Sequence, residues 1–68
     1  MDLVITVCIN TFDLIQHDSS SSGYIISGYY GGHFYKIVKQ YQNYIIYKNN
    51  QFLNAYNEEF EVLEMLGL

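Results

Sequence analysis

The sequence predicts an α+β domain: an antiparallel sheet of four to five strands with one C-terminal α-helix packed on one face. Three observations predict it. The stretch from Phe34 to Tyr56, FYKIVKQYQNYIIYKNNQFLNAY, divides into three β-prone runs at two polar pairs, Gln42-Asn43 and Asn49-Asn50. After Tyr56 the apolar period changes to that of a helix, with Phe60, Val62, Leu63 and Leu66 on one face and Glu61 and Glu64 opposite. Half of the 68 residues are apolar and 18% are aromatic, too many for a chain disordered by composition. We read residues 1–68 as a single domain, β-rich over 2–56 and helical over 58–66.

In chain order, Leu3 to Ile9 (LVITVCI) is a β-branched run and reads as a strand buried on both faces, a candidate central strand. Phe12 to Gln16 either continues it after a bulge or begins a second piece. His17 to Gly23 (HDSSSSG) is low in complexity and reads as a solvated loop, with four serines that could be modified. Tyr24 to Tyr30 is a further strand, and Ser27-Gly28 marks a bulge or a close backbone approach within it. Gly31-Gly32 supplies the turn into the central sheet. In the tail, Asn57 is the expected N-cap, Glu58 and Glu59 suit the positive end of the helix dipole, and Gly67 is the expected stop. A helix this short is marginal alone, so it should dock on the sheet.

Tight two-residue loops at Gln42-Asn43 and Asn49-Asn50 would set the register. Val38, Tyr47 and Phe52 would lie side by side on one face, with Phe34, Ile45 and Tyr56. Lys39, Ile46 and Leu53 would form a row on the other, with Ile37, Tyr41, Tyr44 and Ala55. The helix is expected over Ile46, Leu53 and Ala55.

Seven acidic residues against three lysines and no arginine give a net charge of −4, which argues against phosphate-backbone binding as the main activity. The lysines sit in the central sheet, between acidic ends. No basic segment precedes an apolar stretch and no apolar run approaches ~20 residues, so neither a signal peptide nor a membrane span is expected, and the expected location is cytoplasmic. One cysteine, Cys8, excludes an internal disulfide and fits a reducing compartment. Isoleucine, asparagine and tyrosine dominate the composition, as AT-rich codons produce.

Little in the chain points to chemistry. Cys8, His17, His33 and the aspartates show no motif spacing for nucleophilic catalysis, and two histidines with one cysteine are too few for a closed zinc site. GYYGGHF is glycine-rich but matches no phosphate-loop pattern. The expectation is therefore a non-enzyme with no catalytic residues, cofactor or metal.

The aromatics carry the remaining information. Cross-strand packing accounts for many tyrosines in small sheets, but eight exceed what one small core can bury with every hydroxyl satisfied. Several should be exposed, and a cluster of them makes a binding surface. Phe34, Lys36, Val38, Tyr47, Phe52 and Tyr56 are the expected partner-binding residues, facing a protein target or a second copy, with Lys36 steering an acidic patch. Self-association as a homodimer, or stacking of a small ligand or single-stranded nucleic acid on Tyr29, Tyr30 and Tyr47, are the alternatives.

In size, acidity, cysteine poverty and sheet-plus-helix architecture the chain resembles the small phage-encoded inhibitors of bacterial defence, of which anti-CRISPR proteins are the best-known group. The resemblance implies a stoichiometric blocker of a nucleic-acid-handling enzyme such as a Cas-type nuclease. It brings no motif, so no functional residue is carried over.

Overall fold

A computed structural model describes residues 2–68. Among these the order is α1 (Leu3–Thr11), β1 (Asp13–Ser19), β2 (Gly23–Tyr30), β3 (His33–Gln40), β4 (Asn43–Lys48), β5 (Gln51–Tyr56) and α2 (Glu59–Leu66). The strands form one antiparallel meander in sequence order, and both helices pack on the same face of it. The α+β class and C-terminal helix are as the sequence predicts.

The first correction is at the N-terminus, where Leu3 to Ile9 is helical rather than a central strand. β-branched residues disfavour a helix only by fractions of a kcal/mol each, and packing overrides that preference. Val4 and Cys8, one turn apart, are fully buried against the sheet. Asp2 caps the helix, its Oδ1 accepting from the N–H groups of Val4 at 2.9 Å and Ile5 at 3.2 Å. The cap at Asp2 was the readable signal.

Phe12 ends α1 and is buried, so the next strand is a new piece rather than a continuation. β1 then runs through His17, Asp18 and Ser19, which the sequence assigns to a loop; only 20–22 turn. A register shift between Leu14 and Gln16 lies opposite Ser27 and Gly28. The close approach expected there is present: a Cβ on Gly28 would sit 2.4 Å from the Asp13 carbonyl oxygen.

Two of the three remaining turns fall where the sequence puts them. Gly31 and Gly32, and Asn49 and Asn50, all have positive φ, as tight hairpin loops between twisted strands require. The β3–β4 turn differs, because Gln40 pairs with Asn43 and the loop is Tyr41-Gln42. The Tyr41 N–H is held by the Ser22 carbonyl at 2.7 Å, which ties this turn to the neighbouring loop. The slip is two residues, so each side chain keeps its face: Val38 pairs with Ile45 and Ile37 with Ile46. Tyr41 sits at φ 57° with its side chain 73% exposed, so backbone strain is relieved and little packing is lost on Tyr41→Gly. We expect that substitution to raise stability by about 0.5–1 kcal/mol in urea melts; a loss of similar size would contradict this reading of the turn.

The last register correction is in β5. Tyr47 pairs with Phe52, but Ile46 pairs with Asn54, so Leu53 is a bulge residue. The Asn54 side chain accepts from the Ala55 N–H at 2.8 Å, a local bond that competes with the ladder. Beyond the bulge the faces exchange. Ala55 pairs with Ile45, and Tyr56 pairs with Tyr44 on the helix side.

The core lies between the helices and that side. Ile26, Ile37 and Ile46 form its floor at 0% exposure, Tyr24, Tyr35 and Tyr44 flank them, and Val4, Cys8, Phe12, Val62 and Leu66 form its roof. Val62 and Leu66 of α2 share this cluster with Ile46, whereas Leu53 and Ala55, also expected beneath the helix, are exposed. Its N-cap is Glu58 rather than Asn57, and Gly67 ends it at φ 78°.

Candidate functional site: the open face of the sheet

Covering one face with two helices leaves the other bare. Pairing fixes its layout in rows across the strands. One row is Gln16, Ser27, Lys36, Tyr47 and Phe52; the next is Asp18, Ile25, Val38, Ile45 and Ala55; Asp13, Tyr29 and Phe34 form a third. None of these apolar side chains belongs to the core. Ile25, Phe34, Val38, Ile45 and Tyr47 are half-buried by one another, while Tyr29 is 52% and Phe52 63% exposed. Ser27, in the middle of β2, is small and buried.

Aromatic pairs stiffen this surface. Tyr29 and Phe34 meet edge to face at 5.3 Å, and Tyr47 and Phe52 at 6.2 Å, both favoured arrangements. Lys36 Nζ lies 5.9 Å from the centre of the Tyr47 ring, so its charge stands over the apolar field. The acidic groups are confined to β1, an exposed edge strand where Gln16 donates to Asp18 at 2.6 Å. The face therefore runs from an acidic margin through an aromatic centre to the uncharged β5.

Five of the six residues singled out from sequence, Phe34, Lys36, Val38, Tyr47 and Phe52, are brought together here. Tyr56 is not; the Leu53 bulge turns it to the helix side, where it packs against the core. Ile25 joins the face unanticipated, and Tyr29, expected only as a stacking residue, joins it as well. Their signal was the alternation Ile25, Ser27, Tyr29 in β2, obscured by the reading of Ser27-Gly28 as an interruption. The proposed stacking trio is divided, since Tyr29 and Tyr47 face outward and Tyr30 stacks on Phe12 at 5.6 Å beneath the helices.

The most connected polar group lies elsewhere. Asp2 Oδ1 accepts from Tyr24 Oη at 3.2 Å in addition to the two capped N–H groups, and Oδ2 accepts from Lys39 Nζ at 2.8 Å and Tyr44 Oη at 3.2 Å. Burial pulls this carboxyl upward, but the Lys39 bond, the Ile5 N–H, the lysine charge and Tyr24 outweigh it and hold the group below its ordinary range. The bond to Asp2 raises Lys39, while burial raises Tyr24 and Tyr44. With five donors on two oxygens the carboxylate is saturated and serves as a clasp between α1 and the sheet.

Cys8 is buried, and burial together with the Asp2 charge pushes its thiol up to about 12, the opposite of an activated nucleophile. His33 Nδ1 lies 3.3 Å from the Asn49 amide at the turn end of the sheet, and His17 is exposed on β1. Among the described residues no three His, Cys, Asp or Glu side chains gather as metal ligands would. An open groove of about 530 Å³ between the β3–β4 turn and α2 is lined by Lys39, Tyr44, Glu58, Glu59 and Phe60, with its lysine already engaged by Asp2.

No family model, curated protein or solved structure matches this chain. Among the described residues no helix is long and apolar enough to cross a membrane.

Proposed function

We propose that this protein is a non-catalytic interaction module that acts by stoichiometric binding of a protein surface to the open face of its sheet. The observation that supports it is the unbalanced packing: one face of the sheet carries two helices, and the other presents Ile25, Tyr29, Phe34, Val38, Ile45, Tyr47 and Phe52 to solvent. Contiguous aromatic surfaces of this kind mark binding sites, and stiff rings bury large areas at low entropic cost. The chemistry of the titratable groups favours the same reading, because the best-connected carboxylate is saturated and the thiol is held protonated. The form of this function that the sequence resemblance implies is inhibition of a bacterial defence enzyme by occlusion.

The test compares Tyr47→Ala/Phe52→Ser with a Cys8→Ser/His17→Gln/His33→Gln variant, each checked for folding by circular dichroism. Immobilised on beads in a bacterial lysate carrying defence systems, the triple variant should retain the same protein in the same stoichiometry as the wild type, and the double variant should lose it. Unchanged capture by the folded double variant would overturn the assignment of the face.

A further inference from the structure

The layout of the open face also says what fits it. Resting on the reading of that face as an interface, we propose that in the free protein, before a target displaces it, its occupant is a second copy of this chain, packed sheet on sheet about a two-fold axis that runs along the strands between β3 and β4. Such an axis lays β3 on the partner's β4 and β2 on the partner's β5. Along the row Ser27, Lys36, Tyr47, Phe52 it sets Ser27 under the partner's Phe52 and Lys36 against the partner's Tyr47. The first pairs a buried small side chain with a ring 63% exposed; the second repeats between copies the cation–π contact already made within one. Along the row Ile25, Val38, Ile45, Ala55 it pairs Ile25 with the partner's Ala55 and Val38 with the partner's Ile45. Large meets small at both outer positions, as interdigitating sheets about 10 Å apart and turned by about 30° require.

Charge selects this axis over its alternative. A two-fold axis across the strands through the row of Lys36 would lay β1 on the partner's β1 and β3 on the partner's β3, stacking Asp13 on the partner's Asp18 and Lys36 on the partner's Lys36. The chosen axis leaves β1 beyond the overlap, with both aspartates on the solvated rim. The area is sufficient but small. Four strands about 4.8 Å apart and about seven residues long cover roughly 20 by 23 Å per copy, and projecting rings add to this. That is the low end of specific interfaces, so the dimer should dissociate in the micromolar range.

Sedimentation equilibrium of the full chain from about 5 to about 500 µM tests this by mass action. We expect a monomer–dimer equilibrium for the wild type. Ile45→Glu and Val38→Lys, both outside the core, should each weaken it roughly 30-fold or more, with helix content retained. Mixed in equal amounts they should re-associate as a heterodimer, because the axis places position 38 against the partner's position 45. Phe52→Ala, at the exposed tip of β5, should weaken the dimer if Ile45→Glu fails to fold. A wild type that stays monomeric at 500 µM would overturn the second copy as occupant while leaving the face itself to the capture experiment. A dimer untouched by these substitutions would place self-association on another surface and overturn the second copy as occupant in the same way. Dissociated variants that do not re-associate on mixing would overturn the axis.

Discussion

Ile37→Ala is expected to leave the chain largely unfolded at 25 °C. Ile37 lies at the centre of the core floor, between Ile26 and Ile46, with no exposed surface. Removing a buried side chain of this size costs about 2–5 kcal/mol, part lost transfer energy and part cavity. A domain of this size has only about 3–5 kcal/mol in total. The next residue, Val38, provides the control, because its side chain points to the other face. In monomer at low concentration, Val38→Ala should cost about 1 kcal/mol or less, since a half-buried site leaves no closed cavity. Urea denaturation followed by circular dichroism reads both; equal costs at 37 and 38 would contradict the assignment of faces.

The second large effect is expected at Asp2. Asp2→Ala removes the N-cap of α1, worth about 1 kcal/mol, and deprives the hydroxyls of Tyr24 and Tyr44 and the ammonium of Lys39 of their shared acceptor. We expect a total loss of about 2–4 kcal/mol at pH 7, and less for Asp2→Asn, which can still cap. The pH dependence has a definite sign. Because the folded carboxyl is held below its ordinary value, the clasp contributes fully above the unfolded carboxylate range near 4, and its contribution is lost as pH falls through the folded value. Lys39 is raised, so its share is present below the ordinary lysine range and lost as pH rises through its folded value. The gap between wild type and Asp2→Asn should therefore be widest between these limits and narrow on the acid side. A gap that widens below pH 4 would contradict the clasp.

These two residues also show what was legible in the sequence. Ile37 could be assigned to the helix side because alternation survives a two-residue slip of the β3–β4 turn, and the same parity placed Phe34, Lys36, Val38, Tyr47 and Phe52 together. Tyr56 was misplaced because one extra residue, Leu53, reverses parity beyond it, and a bulge driven by the Asn54 side chain leaves no periodic trace. Leu3 to Ile9 misled because a β-branched run buried on one side of a helix has the same composition as a buried strand. Only the cap at Asp2 and the burial of Val4 and Cys8 one turn apart distinguish them, and the second is a tertiary fact. The clasp itself joins residues up to 42 apart in sequence and has no local signature.

The central proposal is that the helix-free face of the sheet is the working surface and that, in the free protein, a second copy occupies it. Three pairs of neighbours along the strands report on the two faces separately: Ile25, Val38 and Ile45 outward, and Ile26, Ile37 and Ile46 inward. Methyl NMR spectra of the protein diluted from about 500 to about 5 µM compare them directly under the mass action of a micromolar dimer. The methyls of Ile25, Val38 and Ile45 should shift with concentration while those of Ile37 and Ile46 stay fixed. Constant shifts at all positions, or shifts centred on the helices or on β1, would contradict it.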